Sequence, residues 1–247
     1  MPDRFFVSEP IASDRVTLGG EEAHHLIHVL RAKAGLAVTL FDGNGSEFAA
    51  RIERVGRTEV ELAVEGGALV NREPAIELTL AVALPKGDRQ RWLVEKAVEL
   101  GVRRLVPLQT ERSVAEPFEK ALTRLRRTVI EASKQCGRNR LMEIALPRIW
   151  TELCAETGSI GVSDPSRRRA LADPSGAIGA RAWCECLRNT AELRSVMVAV
   201  GPEGGWTDRE LELARTHDWD ELNLGLRILR VETAAVALAA IVTMQLA

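Results

Sequence analysis

The chain has 247 residues, 46% of them hydrophobic, and a net charge of −2. That composition supplies a packed core for one large domain, or for a small and a medium one, and excludes a disordered polyelectrolyte. No apolar run reaches the ~20 residues of a membrane-spanning helix and no signal-peptide core stands near Met1, so a soluble cytoplasmic protein is expected.

Residues 1–72 read as a small β-rich domain. Residues 4–7 and 15–18 have the pattern of short strands, residues 21–31 form a leucine- and histidine-rich helix, and residues 37–41 form a further strand. Asp42-Gly43-Asn44-Gly45 is a hairpin signal, since tight hairpin turns need positive φ at their centre. Residues 48–55 and 58–64 alternate as half-buried strands do, and the pieces together suggest a small β-barrel. Residues 66–74 have linker composition. Across residues 73–247 the pattern changes to strands at 76–84, 104–108, 159–163 and 195–200, with helices at 88–100, 118–135, 207–216 and 231–245. Strand alternating with helix implies an α/β domain whose parallel sheet is covered on both faces.

Charge is uneven along the chain: residues 1–73 carry a net −4, residues 74–150 a net +6 and residues 151–247 a net −4. A basic middle suits a local phosphate-binding surface; a pair of salt-bridged helices would give the same count. Cys136, Cys154, Cys184 and Cys186 have no zinc-site spacing and are read as reduced thiols. His24 and His28 stand at i, i+4, but no Glu or Cys pattern accompanies them, and no metal is expected.

Two segments carry chemistry. In Val198-Ala199-Val200-Gly201-Pro202-Glu203-Gly204-Gly205-Trp206-Thr207-Asp208-Arg209-Glu210 a buried strand enters a glycine-rich loop and then a helix, whose start is fixed by a Thr207–Glu210 capping box. It is neither a P-loop nor a G-x-G-x-x-G turn. Strand carboxyl ends are where open α/β sheets bind ligands, and glycine admits close approach of backbone to a ligand. Downstream, Leu222-Asn223-Leu224-Gly225-Leu226-Arg227-Ile228-Leu229-Arg230-Val231-Glu232-Thr233-Ala234-Ala235 runs from a short strand through an apolar turn into an alanine-rich helix.

Together these segments resemble the SPOUT superfamily of methyltransferases and, within it, the ribosomal RNA small subunit methyltransferase E family. The resemblance extends to His24-His25-Leu26 with Val29-Leu30-Arg31, to Leu84-Pro85-Lys86-Gly87-Asp88, and to Glu95-Lys96-Ala97-Val98-Glu99-Leu100-Gly101-Val102. It also includes Thr110-Glu111-Arg112-Ser113 and Glu131-Ala132-Ser133-Lys134-Gln135-Cys136-Gly137-Arg138. The stretch after Arg138, residues 139–144, lacks the proline usual in that family, and residues 154–194 carry little of its signal.

The resemblance implies a PUA-like RNA-binding barrel over 1–72 and a catalytic domain over 73–247 with a C-terminal trefoil knot, working as a homodimer without metal. It implies S-adenosylmethionine as cofactor and 16S rRNA of the small subunit as substrate, methylated at N3 of one uridine. Carried across by motif, the cofactor residues are Val200, Gly201, Glu203, Gly204, Leu224, Gly225, Ile228 and Leu229. The three glycines among them are expected to keep side chains away from the cofactor. RNA contacts are expected at Arg31, Lys86, Arg112 and Arg138. Removing the N3 proton calls for a base or for cations that stabilise the uracil anion, and the candidates are Glu203, Glu232 and Arg138. Each has a structural reading beside it: Glu203 as an amide cap, Glu232 tied to Arg230 at a helix start, Arg138 as a solvated arginine. Two other functions stay open: ribose 2′-O-methylation of tRNA or rRNA, and a non-catalytic ribosome-assembly factor.

Overall fold

The computed structural model describes residues 3–113, 119–156 and 164–246. It divides into two compact units, one of Met1–Glu73 with Ile130–Leu141 and one of Pro74–Val129 with Met142–Ala247. The return of residues 130–141 to the first unit has no signature in the sequence, which reads as a simple succession of two domains.

In the first unit β1 (Arg4–Phe6), β2 (Arg15–Leu18), β3 (Ala37–Phe41), β4 (Ser46–Val55) and β5 (Val60–Leu69) form one sheet in the order β1-β3-β4-β5-β2. Pairing is antiparallel except between β1 and β3. Phe5, Leu18, Leu40, Ile52 and Leu62 bring all five strands into one buried core. The expected barrel is thus a mixed sheet around a single core, with β1 and β2 as its edges. β5 continues through Gly66 and Gly67, where a linker was expected. Gly67 lies opposite Phe48 on β4, and a Cβ there would stand 2.6 Å from the phenyl ring; the glycine lets one strand pass an aromatic on the next.

The helix expected over 21–31 is a short α1 (Gly20–His24) followed by one π-helical turn, His25–Val29. The Leu30 amide donates to the His25 carbonyl at 3.0 Å, the i→i+5 reach that defines such a turn. Ala23 and Leu26 enter the core, and Arg31 follows with φ +50°. The Asp42–Gly45 turn is held from outside the hairpin. Its Gly45 amide donates to the Asn139 carbonyl at 3.2 Å, and its Gly43 carbonyl accepts from the Leu141 amide at 3.3 Å. Beside it, Glu47 accepts hydrogen bonds from Arg72 (2.9 Å), Arg4 (3.1 Å) and Asn139 (3.2 Å).

The second unit alternates as expected, with more elements than the sequence pattern gives. In chain order they are β6 (Glu77–Val82), α2 (Asp88–Glu99), β7 (Arg104–Gln109), α3 (Glu119–Cys136, which runs on into the first unit), β8 (Glu143–Ile144), β9 (Arg148–Ile149) and α4 (Trp150–Glu156). β10 (Arg167–Ala172), β11 (Ile178–Gly179), α5 (Ala180–Leu187), β12 (Ser195–Val200), α6 (Asp208–Thr216), β13 (Asp220–Asn223) and α7 (Val231–Gln245) follow. The sheet order is β11-β13-β10-β12-β6-β7-β8, β9 also pairs with β7, and every pairing is parallel. The strand expected at 159–163 lies outside the described residues. Trp150 packs its ring centroid 4.7 Å from that of Trp206 and 4.9 Å from that of Trp219, making an indole cluster in the core on one side of the sheet. Among the described residues no helix is long and apolar enough to cross a membrane.

The Glu47 cluster sets a pH dependence. Its carboxyl is held down from 4.5 to about 2, first by the Arg72 hydrogen bond and then by those of Arg4 and Asn139, against an opposing desolvation. Folded, the group binds fewer protons than unfolded, so its stabilisation is complete above 4.5 and is lost as pH falls toward 2. Glu47→Gln is expected to flatten the acid limb of the first unit's stability over that window. Hydrogen exchange of the β4 and β5 amides measures it, and an acid limb identical to wild type would remove the cluster from the stability account.

Candidate active site

Parallel strands finish at one edge of their sheet, and ligands of such sheets bind beyond the carboxyl ends. Here the chain leaving β10, β12 and β13 and the approach to α7 enclose a cleft of about 380 Å³. Ala172, Val200, Leu222, Leu224, Leu229 and Ala234 give it apolar walls, while Asp173, Glu203, Arg227 and Arg230 supply charge.

The glycine-rich loop is fixed from several directions. The Gly205 amide donates to the Pro202 carbonyl at 2.9 Å, closing a tight turn in which Gly205 has φ +70°. The capping box is present: Thr207 Oγ1 accepts the Glu210 amide, and Glu210 Oε2 accepts the Thr207 amide at 2.9 Å. Glu210 is buried, and its other oxygen accepts the Glu111 amide at 3.0 Å. Arg112 donates to the carbonyls of Gly204 (2.9 Å) and Trp206 (3.2 Å). The arginine expected at RNA therefore has a place in holding this loop.

Val200, Gly201, Glu203, Leu224, Gly225, Ile228 and Leu229 all line the cleft; Gly204 does not, and Gly205 does. The fold itself also asks for small residues at these positions. A Cβ on Gly201 would lie 2.8 Å from Cε2 of Trp206, so the residue is small to seat an indole. That indole donates to the Ala172 carbonyl at 2.9 Å, tying the β12 loop to β10. At Gly204 a Cβ would meet only the Arg112 side chain, at 3.3 Å, and Gly225 is required by its φ of +99°.

A second cavity of about 120 Å³ shares Pro202, Glu203 and Val231 with the cleft and adds Leu84, Lys86, Arg89 and Ser113. Arg89 Nη1 lies 2.6 Å from Glu203 Oε1 and 3.7 Å from Glu232 Oε2. Glu203 is exposed, and its carboxyl is held below the usual range first by that Arg89 hydrogen bond. Glu232 is buried on the first turn of α7, and its Oε2 has no hydrogen-bond partner. The nearby cation is Arg89, not the Arg230 suggested by sequence proximity. Arg89 is one residue past the Leu84–Asp88 motif and was missed; a cation one helical position beyond a strand-end loop was the available signal.

Arg138 belongs to the first unit. Its side chain is only 4% exposed and makes a bidentate pair with Glu73, Nε at 2.9 Å and Nη2 at 2.5 Å. It is thus a buried, ion-paired residue and not the solvated cation that its sequence context suggests. Arg31 and Lys86 are exposed. Burial pushes the Cys154 thiol up to about 12 and the Cys184 thiol to about 11, so both are protonated at neutral pH. Among the described residues no group of three His, Cys, Asp or Glu side chains is arranged to hold a metal.

Residues 71–243 match the model of the RNA methyltransferase domain, and residues 18–65 match that of the RNA methyltransferase PUA domain. The ribosomal RNA small subunit methyltransferase E of Synechocystis is 33% identical over 237 residues, covering 94% of this chain and 74% of the relative. The enzyme of that name from Bacillus subtilis is 29% identical over 235 residues, covering 91% and 88%. A crystal structure of the Neisseria gonorrhoeae protein of the same name, bound to S-adenosyl methionine, superposes with a TM-score of 0.82 at 30% identity, covering 99% of this chain and 97% of that one. A Legionella pneumophila protein solved with SAM bound gives 0.87 at 29% identity, covering 99% and 98%.

The glycine geometry predicts an order of sensitivity. Gly201→Ala must displace a buried indole and is expected to destabilise by about 1–3 kcal/mol, as overpacked cores do. Gly204→Ala asks the Arg112 stem to give by only a few tenths of an ångström and is expected within about 0.5 kcal/mol of wild type. Thermal unfolding with tryptophan emission compares them, and equal stability of the two variants would refute the account of Gly201.

Proposed function

We propose that this chain, which belongs to the RNA methyltransferase family and within it to the ribosomal RNA small subunit methyltransferase E group, methylates N3 of one uridine in 16S rRNA with S-adenosylmethionine. The observation that carries the reading is the apolar cleft at the carboxyl ends of β10, β12 and β13, lined by both motif loops. About 380 Å³ is on the scale of small-molecule sites, roughly 300–1,000 Å³. The residues fit the cofactor. Leu224, Ile228 and Leu229 provide an apolar enclosure for an adenine, the backbone around Val200 and Gly201 is at the cleft wall, and Arg227 and Arg230 offer cations for a carboxylate. When bound, S-adenosylmethionine supplies an electrophilic methyl group; the chain must hold the acceptor in line with it, itself a large rate effect.

In this reading the first unit is the PUA-like RNA-binding domain and the second a SPOUT-type catalytic domain with a trefoil knot. The enzyme acts as a homodimer in the cytoplasm. Leu226 beside the cleft and Ile228 on its wall are exposed, an apolar surface that a second copy would cover. Of the four cations expected at RNA, Arg31 and Lys86 are exposed and available to phosphate, whereas Arg112 and Arg138 have partners within the fold. Arg31→Ala is expected to weaken rRNA binding and to reduce the slope of log affinity against log salt by about 1, with cofactor affinity unchanged. A slope equal to wild type would take Arg31 out of the RNA surface.

Methylation with labelled cofactor, then digestion of the rRNA to nucleosides and mass spectrometry, tests the activity. The expected product is 3-methyluridine, formed without added metal and in the presence of a chelator. Label on ribose would favour 2′-O-methylation, and cofactor binding without any transfer would favour the assembly factor; either result overturns the proposal. Light scattering at micromolar concentration is expected to give a dimer mass, and monomer throughout that range would refute the homodimer.

A further inference from the structure

The cofactor cleft leaves open where the acceptor base sits and what makes its nitrogen nucleophilic. The cavity of about 120 Å³ beside the cleft bears on both. At ~30 Å³ per water it holds on the order of four waters, enough for part of one ring or one phosphate group. It shares the Glu203 wall with the cleft, so an occupant lies beside whatever the cleft holds.

Its chemistry is cationic. Lys86 and Arg89 line it with Ser113, against the single carboxylate of Glu203. None of the four histidines lines either cavity. Glu203 is a poor proton acceptor, because Arg89 holds its carboxyl below the ordinary range, helped by Arg230 and Lys86. Asp173, in the cleft, already accepts from the Ser175 amide at 2.7 Å and from its hydroxyl. The groups present are better suited to stabilise an anion than to remove a proton from a neutral imide.

Behind Arg89 stands the buried carboxylate of Glu232, whose Oε2 has no hydrogen-bond partner and lies 3.7 Å from Arg89 Nη1. An orphaned buried carboxylate oxygen is costly. This one is within a small movement of the guanidinium that now holds Glu203 at 2.6 Å. Arg89 thus has two carboxylates to choose between, one exposed and one buried.

Resting on the function proposed above, we propose that this cavity receives one edge of the acceptor uracil and that Arg89, anchored by Glu232, is the cation that stabilises the deprotonated ring. Arg89 exchanges Glu203 for a uracil carbonyl oxygen and tightens on Glu232. The N3 proton leaves to solvent water. The nitrogen pair then forms the N–C bond to the methyl carbon as the C–S bond breaks, with that bond's electron pair remaining on sulfur. The ring ends neutral, the sulfonium becomes a thioether, and one proton has been released.

The test is single-turnover methylation of 16S rRNA over a pH series on the alkaline side of neutrality, with wild type, Arg89→Lys, Arg89→Gln and Glu232→Gln. Cofactor affinity by calorimetry and unfolding temperature are measured on each. Arg89→Gln is expected to slow transfer about 100-fold near neutral pH, the scale of losing one preorganised donor, with cofactor affinity retained. Without the cation the bound uracil deprotonates at higher pH, so the deficit should shrink as pH rises. Glu232→Gln should shift the profile the same way by less, and Arg89→Lys should restore part of the rate. The facing charged groups, Lys86, Glu203 and Arg230, are intact in every variant. A pH-independent deficit, a wild-type rate in Arg89→Gln, or loss of cofactor binding as the cause of the slow rate would each overturn the assignment. Failure of the underlying reading is visible separately, as a wild-type product other than 3-methyluridine.

Discussion

The contact between Gly201 and the indole of Trp206 is the constraint on which the site depends. β12 delivers Gly201 to the carboxyl edge of the sheet, and the missing side chain there is what lets Trp206 fold back over it. From that position the indole donates to Ala172 at the end of β10, so two neighbouring strand ends are stitched by one side chain. The same ring joins the Trp150 and Trp219 cluster in the core. The glycine-rich loop is therefore a rigid strap rather than a flexible cover, with Arg112 holding its carbonyls and Glu210 holding its exit. A cleft built this way is preformed, and preformed sites lose less free energy to ordering when they bind.

Elements whose side chains alternate or recur within a short window were legible. β3, β12 and α7 have the bounds their patterns give, since local periodicity alone determines which face is buried. β10 was missed because three of its six residues are arginines. It sits between β12 and β13 in the sheet, and what makes it a strand is the pair of neighbours it acquires from distant parts of the chain. The π-helical turn at His25–Val29 is likewise set by its packing: Leu26 must reach the core, and residue types cannot tell an i→i+5 turn from an ordinary one.

The glycines show how a residue named by a motif can also answer to the fold around it. The motif pointed to Gly201 and Gly225 as wall residues, and both line the cleft. Beside the approach to a ligand that the motif implies, Gly201 makes room for a residue five positions along and Gly225 satisfies a backbone angle. Gly204 carries the same motif weight and faces Arg112 instead. A motif records which residue is required; only the atoms around it tell what requires it.

Arginines were the least legible, for a reason that the charge profile contains. The net +6 of residues 74–150 between two segments of −4 suggested a basic surface. In the fold several of these cations meet carboxylates from the flanking segments: Lys134 pairs with Glu22, Arg138 with Glu73, Arg89 with Glu203 and Arg148 with Glu156. Part of the apparent excess is therefore one half of ion pairs whose other half lies in the flanking segments, far away in sequence for all but Arg148. These pairs differ in what they can do. Arg138 with Glu73 and Lys134 with Glu22 are nearly sealed from solvent, where separating the charges costs several kcal/mol, so they serve the fold. Arg89 is a third exposed and its partner Glu203 nearly two thirds, with a second carboxylate waiting behind. A surface pair of that kind is worth little by itself. Exchange of its partner for an incoming anion is correspondingly cheap, and that separates a cation able to act on a ligand from one fixed in place.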